Sequence, residues 1–157
     1  MGVFYSHGRL AGPGELIFML AVVGLGAWAV SGYRDYVGRA VREGAEKARP
    51  AMAAVERAFQ ERGPTDMSRP QATGWKIPAA TSKVRSVSIG PAGVVTVQFA
   101  DAVADAEESL LQLVPVADGR PLDLSRPESA GRKFGWECGG ASGKTTLPPR
   151  LRRLACP

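Results

Sequence analysis

Residues 140–145 resemble the end of a phosphate-binding loop, in which backbone amides and a lysine hold phosphate. The full pattern, G-x-x-x-x-G-K-[ST], requires glycine at the position of Cys138. It also requires a helix after Lys144 to face the phosphate, and Pro148 and Pro149 argue against one. We therefore do not expect nucleotide binding, and the sequence predicts no cofactor.

The chain also lacks the residues that other kinds of enzymatic chemistry require. The single histidine, His7, lies near the N-terminus, which excludes a histidine-based catalytic triad in the rest of the chain. Two cysteines and one distant histidine do not make a four-ligand metal site. The chain is therefore predicted not to be an enzyme and to hold no metal.

The two cysteines, Cys138 and Cys156, lie close together in a chain of 157 residues. If the domain is exported, they are expected to form one disulfide; in a reducing compartment they would remain thiols. A bridge would close a loop of about 19 residues, worth about 3 kcal/mol in the chain-entropy model.

The same C-terminal stretch is basic, within a chain of net charge +5. One interpretation is a solvated loop whose charges serve solubility. The other is contact with DNA phosphates, which loop cations bind without sequence preference. The candidate anion-binding residues are Lys144, Arg150, Arg152 and Arg153.

A long helix is predicted to precede these residues. Residues 16–30 carry no charge, and apolar residues then recur with a period near 3.6 up to Phe59. One helix is therefore expected from about Glu15 to Arg62. A carboxylate at the head of an apolar run is costly in hydrocarbon. Glu15 is expected either to lie at the membrane interface, near the helix N-terminus, or to pair with a positive group on a neighbouring subunit.

The second half of the chain changes to strand periodicity. Strands are predicted at residues 84–89, 94–99, 110–116 and 132–138, with a turn at residues 90–93 that makes the first two a hairpin. A long helix packed on a four-stranded antiparallel sheet is an α+β domain.

Five stretches, in collinear order, resemble type IV pilins. Residues 15–24, ELIFMLAVVG, resemble the core of the pilin membrane segment, and residues 33–36 resemble the YQDY that follows it. Residues 39–44 resemble the next stretch of the family. Residues 136–138 and 147–156 resemble the W-x-C and the proline-rich, cysteine-ended tail of type IVa pilins.

The resemblance implies the pilin fold, with a leader-like segment at 1–14, a transmembrane and filament-core helix at 15–32, and a globular domain at 33–157. It implies that Glu15 pairs with the N-terminal amine of an adjacent subunit during assembly, and that Cys138 and Cys156 close the C-terminal loop. Expected partners are other pilin subunits, the pilus assembly machinery, the inner membrane before assembly, and DNA. The expected locations are the inner membrane, as a single-pass protein with a periplasmic C-terminal domain, and the extracellular pilus.

The leader departs from the family pattern. Leu10 stands where the processing site has glycine, and Ser31 stands where the family has proline. These departures favour a minor or diverged pilin, with processing and methylation left open. The alternatives are a minor pilin that binds DNA or a surface ligand through its basic loop, a type II secretion pseudopilin, and a membrane-tethered periplasmic domain. Adhesion, motility and DNA uptake are all compatible with the filament interpretation.

Overall fold

A computed structural model describes residues 13–100, 110–139 and 144–156, with side chains from Gly32 onward. The chain divides into two compact units, Met1–Asp35 and Tyr36–Pro157. The first unit is helical from Pro13. The leader-like segment and the side chain of Glu15 lie outside the described residues, so the predictions made for them stay predictions.

Helix α1 comprises Pro13–Arg62, which confirms the predicted long helix. Pro50 lies inside it without ending it. The helix ends at Gly63, whose φ is +72° and whose amide donates to the carbonyl of Phe59 over 2.9 Å. Glycine adopts this left-handed conformation without steric cost, which explains the stop.

Among the residues that the structure describes, none of the helices combines the length and the apolarity needed for crossing a bilayer.

The second unit buries the predicted face of α1. Met52 on that face is half-buried, and the other apolar residues that recur along it are buried: Val37, Val41, Ala45, Ala48, Val55 and Phe59. Four further alanines join them, so most of the buried face is alanine: Ala40, Ala45, Ala48, Ala51, Ala54 and Ala58. Small side chains bring the helix backbone close to the sheet.

Gly44 marks the closest approach. A Cβ at this position would lie 2.5 Å from Cε1 of Phe99 and 3.1 Å from Cγ1 of Val97. Phe99 and Val97 are themselves fully buried. The site therefore requires glycine because β2 occupies the space that any side chain would need.

The remaining elements are short. Within the described residues they are, in chain order, α2 (Pro70–Thr73), β1 (Val84–Ile89), β2 (Val95–Phe99), β3 (Leu110–Ala117), β4 (Arg120–Pro121), a 3-10 turn (Pro127–Ser129), β5 (Gly135–Cys138) and α3 (Pro149–Ala155). Every strand pairing is antiparallel. The α+β prediction is confirmed, and the sheet has one short strand, β4, beyond the four predicted.

Strand β3 is the centre of the sheet. Leu113 pairs with Val95 of β2 and with Cys138 of β5, so β2 and β5 flank β3 on opposite sides. β4 follows β3 through the two-residue loop Asp118–Gly119, whose φ angles are +54° and +71°. Positive φ at both loop residues is typical of a type I′ turn, for which Asp-Gly is a preferred pair.

The loop before β1 is attached to α1 by polar contacts. Lys83 forms a 3.0 Å ion pair with Glu43, and the hydroxyl of Thr81 donates to the same carboxylate over 2.7 Å. The hydrogen bond from Thr81, with that from Lys83, lowers the pKa of Glu43. The loop is therefore held along the helix rather than free in solvent.

A seven-residue pattern, P-x-D-Φ-S-R-P with Φ apolar, occurs twice, at residues 64–70 and 121–127. Both copies have the same geometry. Asp66 accepts from the amide and hydroxyl of Ser68 at 3.0 and 2.6 Å, and Asp123 accepts from those of Ser125 at 3.0 and 2.6 Å.

The apolar residue of each copy enters the core beside the 90–93 turn. Met67 and Leu124 are fully buried. The amide of Met67 donates to Pro91, and that of Leu124 donates to Ala92. Each copy thus places a buried apolar residue next to the same hairpin turn and bonds it to a carbonyl of that turn.

Because of these two aspartates, we expect the stability of the fold to decrease at acidic pH. Hydrogen bonds from Ser68 and from Ser125 lower the pKa of Asp66 and of Asp123. A lowered folded-state pKa contributes stability above the unfolded value of about 3.9, and this is lost as the pH falls through the folded value. We expect the Asp66→Asn/Asp123→Asn variant to be less stable than the wild type at neutral pH. The difference should shrink between about pH 5 and about pH 2 in urea titrations.

Glu128→Gln is the matched control, since Glu128 is exposed and has no hydrogen-bond or ion-pair partner in the described parts of the chain. A stability difference that stays constant across this pH range would contradict the role given to the two aspartates.

Candidate functional site: the disulfide-closed C-terminal segment

The C-terminal segment, residues 138–156, begins and ends with the predicted cysteine pair. Cys138 and Cys156 form a disulfide with a Cα–Cα distance of 5.5 Å. Cys138 is the last residue of β5, and Cys156 directly follows α3. The bridge therefore joins the end of the chain to a strand that pairs with the central β3.

Two threonines attach the segment to β3 itself. The hydroxyl of Thr145 accepts from the amide of Gln112 over 2.8 Å, and that of Thr146 accepts from the amide of Leu110 over 3.0 Å. The Gln112 side chain in turn accepts from the amide of Lys144 over 2.7 Å. β5 covers one half of this edge of β3, from Leu113 to Val116, and the threonines cover the other half.

Gly139 directly follows β5 and lies against Thr145. Its φ is +52°, and a Cβ there would overlap the side chain of the buried Thr145. Glycine is required here for both reasons, and its absence of a side chain lets Thr145 reach the amide of Gln112.

Arg152 stabilises the C-terminal segment through hydrogen bonds to its backbone. Its guanidinium donates to the carbonyls of Leu147 over 2.6 Å, of Gly139 over 2.7 Å and of Thr145 over 3.4 Å. Leu147 is fully buried, and Arg152 is half-buried. Sequence reasoning placed Arg152 with the anion-binding cations and did not find this structural role, because backbone acceptors leave no mark in the sequence.

The predicted absence of a helix after residue 144 was wrong. Pro149 occupies the first position of α3, where a missing amide costs nothing and the fixed φ suits a helix. Three residues of the threonine-bound stretch and Pro148 still separate Lys144 from α3. The helix is thus not placed as a phosphate-binding loop requires.

The other predicted cations lie at the surface. Lys144, Arg150 and Arg153 are exposed, and no hydrogen bond or ion pair of their side chains occurs in the described residues. Arg150 and Arg153 are three residues apart on α3, which puts them on neighbouring positions of one helix side. These three side chains remain available to an anionic ligand.

Trp136, two residues before the C-terminal segment, connects β5 to α1. Its Nε1 donates to a carboxylate oxygen of Glu56 over 2.6 Å, across 80 residues of sequence. Its ring meets Phe134 edge-to-face at 5.7 Å, and Phe134 meets Phe59 in the same way at 5.6 Å. The sequence analysis placed Trp136 in a strand but did not predict its partner on α1.

Arg152 gives a direct test of this arrangement. We expect Arg152→Ala to lower the free energy of unfolding by about 2 kcal/mol, because the variant removes one charged donor from three carbonyls. Arg153→Ala, one residue away and exposed, should change it by less than about 0.5 kcal/mol. Urea unfolding of the full chain in mild detergent, followed by tryptophan fluorescence, measures both. Equal effects of the two substitutions would contradict the structural role of Arg152.

Potential metal-binding side chains are not clustered in the described ranges: no three of His, Cys, Asp and Glu lie together there. Glu15, the predicted assembly residue, lies within the backbone of α1, but its side chain is outside the described residues.

Comparison with known proteins agrees with this architecture. The family model for pilin, a bacterial filament protein, matches residues 40–157, which is most of the chain. Searches of curated proteins and of solved structures give no significant match. The matched region contains the amphipathic part of α1, the whole sheet and the disulfide-closed segment. The chain therefore belongs to the pilin family.

Proposed function

We propose that this chain, as a pilin, is a structural subunit that enters its filament through the N-terminal part of α1. The observation that carries the proposal is the family match over residues 40–157, together with a helix that continues unbroken upstream of it to Pro13. In this proposal residues 15–32 lie in the inner membrane before assembly and in the filament core afterwards. The domain at 33–157 is periplasmic first and extracellular in the pilus.

Glu15 is proposed to pair with the N-terminal amine of the adjacent subunit. A carboxylate inside an apolar core is stable only when a positive group neutralises it. We expect Glu15→Ala to reduce the chain in filaments sheared from the cell surface at least about tenfold, the factor that about 1.4 kcal/mol of lost pairing produces. The membrane-bound pool should not change. Glu15→Asp, which keeps the charge, should retain part of the assembly.

The intact mass of the chain from the sheared and membrane fractions tests the proposal as a whole. A shortened chain, two hydrogens lighter and present in sheared filaments, would support processing, disulfide formation and assembly together. A full-length chain found only in the membrane would support a membrane-tethered domain instead. A shortened chain that never reaches the surface would support a type II secretion pseudopilin.

A second candidate function is DNA binding by the C-terminal segment. It is supported by the exposed cations Lys144, Arg150 and Arg153, whereas the Arg152 side chain is occupied by backbone carbonyls. We expect the Lys144→Ala/Arg150→Ala/Arg153→Ala variant to lose salt-sensitive binding to duplex DNA. The fold should be intact in this variant, which separates it from Arg152→Ala. Binding that is absent, or independent of salt, would remove this candidate.

A further inference from the structure

A groove of about 240 Å³ separates α1 from the end of α3. Its apolar lining comes from both helices and from the sheet, with Ala45, Met52, Leu113, Leu154 and Ala155. Leu154 is 42% exposed, although large apolar side chains of this domain are mostly buried. This α1–α3 groove therefore has apolar surface that is exposed to solvent.

Two arginines line the α1 side of the α1–α3 groove. Arg42 and Arg49 are exposed, and in the described parts of the chain neither has a hydrogen-bond or ion-pair partner. Glu46 lies between them, but its carboxylate is bridged to neither within 4.0 Å. The groove thus has excess positive charge beside an apolar floor.

Four other basic side chains of the domain are paired. Lys83 bridges to Glu43, Arg69 to Asp66, Arg126 to Asp123 and Arg132 to Asp118. Among the described residues, Arg42 and Arg49 have no such carboxylate partner, and unlike the unpaired cations of the C-terminal segment they line a groove with an apolar floor. An acidic and partly apolar peptide would complement it.

The sequence contains one such peptide. Residues 101–109, which read DAVADAEES, hold four carboxylates and no cation, with one valine and three alanines between them. No stretch of nine residues elsewhere in the chain, outside residues 101–109, holds as many carboxylates. Its acidic and small apolar residues match the arginines and the floor of the α1–α3 groove in charge and in size.

We propose that the α1–α3 groove binds residues 101–109 of a second copy of this chain. The inference rests on the proposed function, because a filament places identical chains side by side at high effective concentration. Single exposed ion pairs contribute at most about 1 kcal/mol, so one contact of this kind is weak. Repetition at every subunit makes such contacts add along the filament.

Cysteine cross-linking in the full chain tests which surfaces meet. Cells would express two variants together, Arg49→Cys and Asp105→Cys, each with the native disulfide. We expect a covalent heterodimer on non-reducing gels, at least about tenfold above that of the control pair Arg57→Cys and Asp105→Cys. Arg57 is an exposed arginine of the same helix outside the groove. Equal yields from the two pairs would overturn the proposal.

A chain that carries Arg49→Cys and Asp105→Cys together distinguishes pairing between copies from pairing within one copy. A cross-linked dimer supports the proposal. A cross-linked product that migrates as a monomer would overturn it, since the acidic peptide would then occupy the groove of its own chain.

Charge reversal tests the same contact in the filament. Arg42→Glu/Arg49→Glu and Asp105→Lys/Glu107→Lys are each expected to lower the chain in sheared filaments at least about fivefold. The chain with all four substitutions should recover to within about twofold of the wild type, because the reversed charges again attract. Normal filaments from either reversed variant would overturn the inference and leave the filament function standing. If the wild-type chain is absent from filaments while the Arg49→Cys and Asp105→Cys variants cross-link in the membrane, the filament function is removed and the contact is kept.

Discussion

Replacing Gly44 with valine is expected to lower the free energy of unfolding by about 3 kcal/mol. The first new atom, Cβ, would lie 2.5 Å from the ring of Phe99, and the two methyl groups need further space. Phe99 is fully buried in the sheet, so its ring cannot move into solvent. Urea unfolding of the full chain in mild detergent measures the loss, and the Gly44→Ala variant should show the same sign.

Gly38→Ala is the matched control on the same helix. A Cβ at Gly38 would be 3.8 Å from Cδ1 of Leu154, an ordinary contact distance. The alanine variant should therefore gain about 0.5 to 1 kcal/mol from helix propensity. If both glycines tolerated alanine equally, the close approach of α1 to β2 at Gly44 would be disproved.

Removal of the disulfide, by Cys138→Ser/Cys156→Ser, is expected to cost about 3 kcal/mol. The bridge joins two residues that are 18 apart in the sequence. Without the bridge the unfolded chain gains conformational entropy, which lowers the free energy of unfolding. The hydrogen bonds of Thr145 and Arg152 remain in this variant. We therefore expect a weakened domain that still folds, not an unfolded one.

Reduction of the wild-type chain with dithiothreitol is the control, since it opens the bridge without changing the sequence. It should give the same unfolding midpoint as the double serine variant. A midpoint that does not change in either case would show that hydrogen bonds alone hold the C-terminal segment against β3.

Periodicity predicted the main elements well. The helix was expected to end at Arg62, as it does, and the β1 bounds are those predicted. These elements have regular burial: β2 alternates between buried and half-buried positions along its length, so the apolar pattern is visible in the sequence. The β5 prediction began three residues early, because Phe134 is apolar but precedes the first pair of the ladder.

Two short elements were missed although the sequence contains their signals. Asp118 and Gly119 form a preferred two-residue hairpin loop, but the strand after it has only two residues and no periodicity. Pro149 was interpreted as a helix breaker, whereas proline at the first position favours a helix. β4 was therefore missed because of its short length, and α3 because the favourable position of its proline was not considered.

The side-chain roles in the candidate site were less predictable. The cysteines could be paired because only two exist. Arg152 could not be separated from Arg150 and Arg153, since its acceptors are carbonyls brought together by the path of the backbone. The same limit applies to the bond between Trp136 and Glu56, whose partners are 80 residues apart.

The alanine face of α1 has a consequence for the entropy of folding. Alanine has no side-chain rotamers to lose, whereas a buried leucine or methionine gives up about 0.5 to 2 kcal/mol of conformational freedom. The six buried alanines of α1 therefore enter the core without that cost. The larger side chains that complete the core on the sheet side are valine, leucine and phenylalanine. Packing of α1 on the sheet therefore costs little side-chain conformational entropy on the helix side.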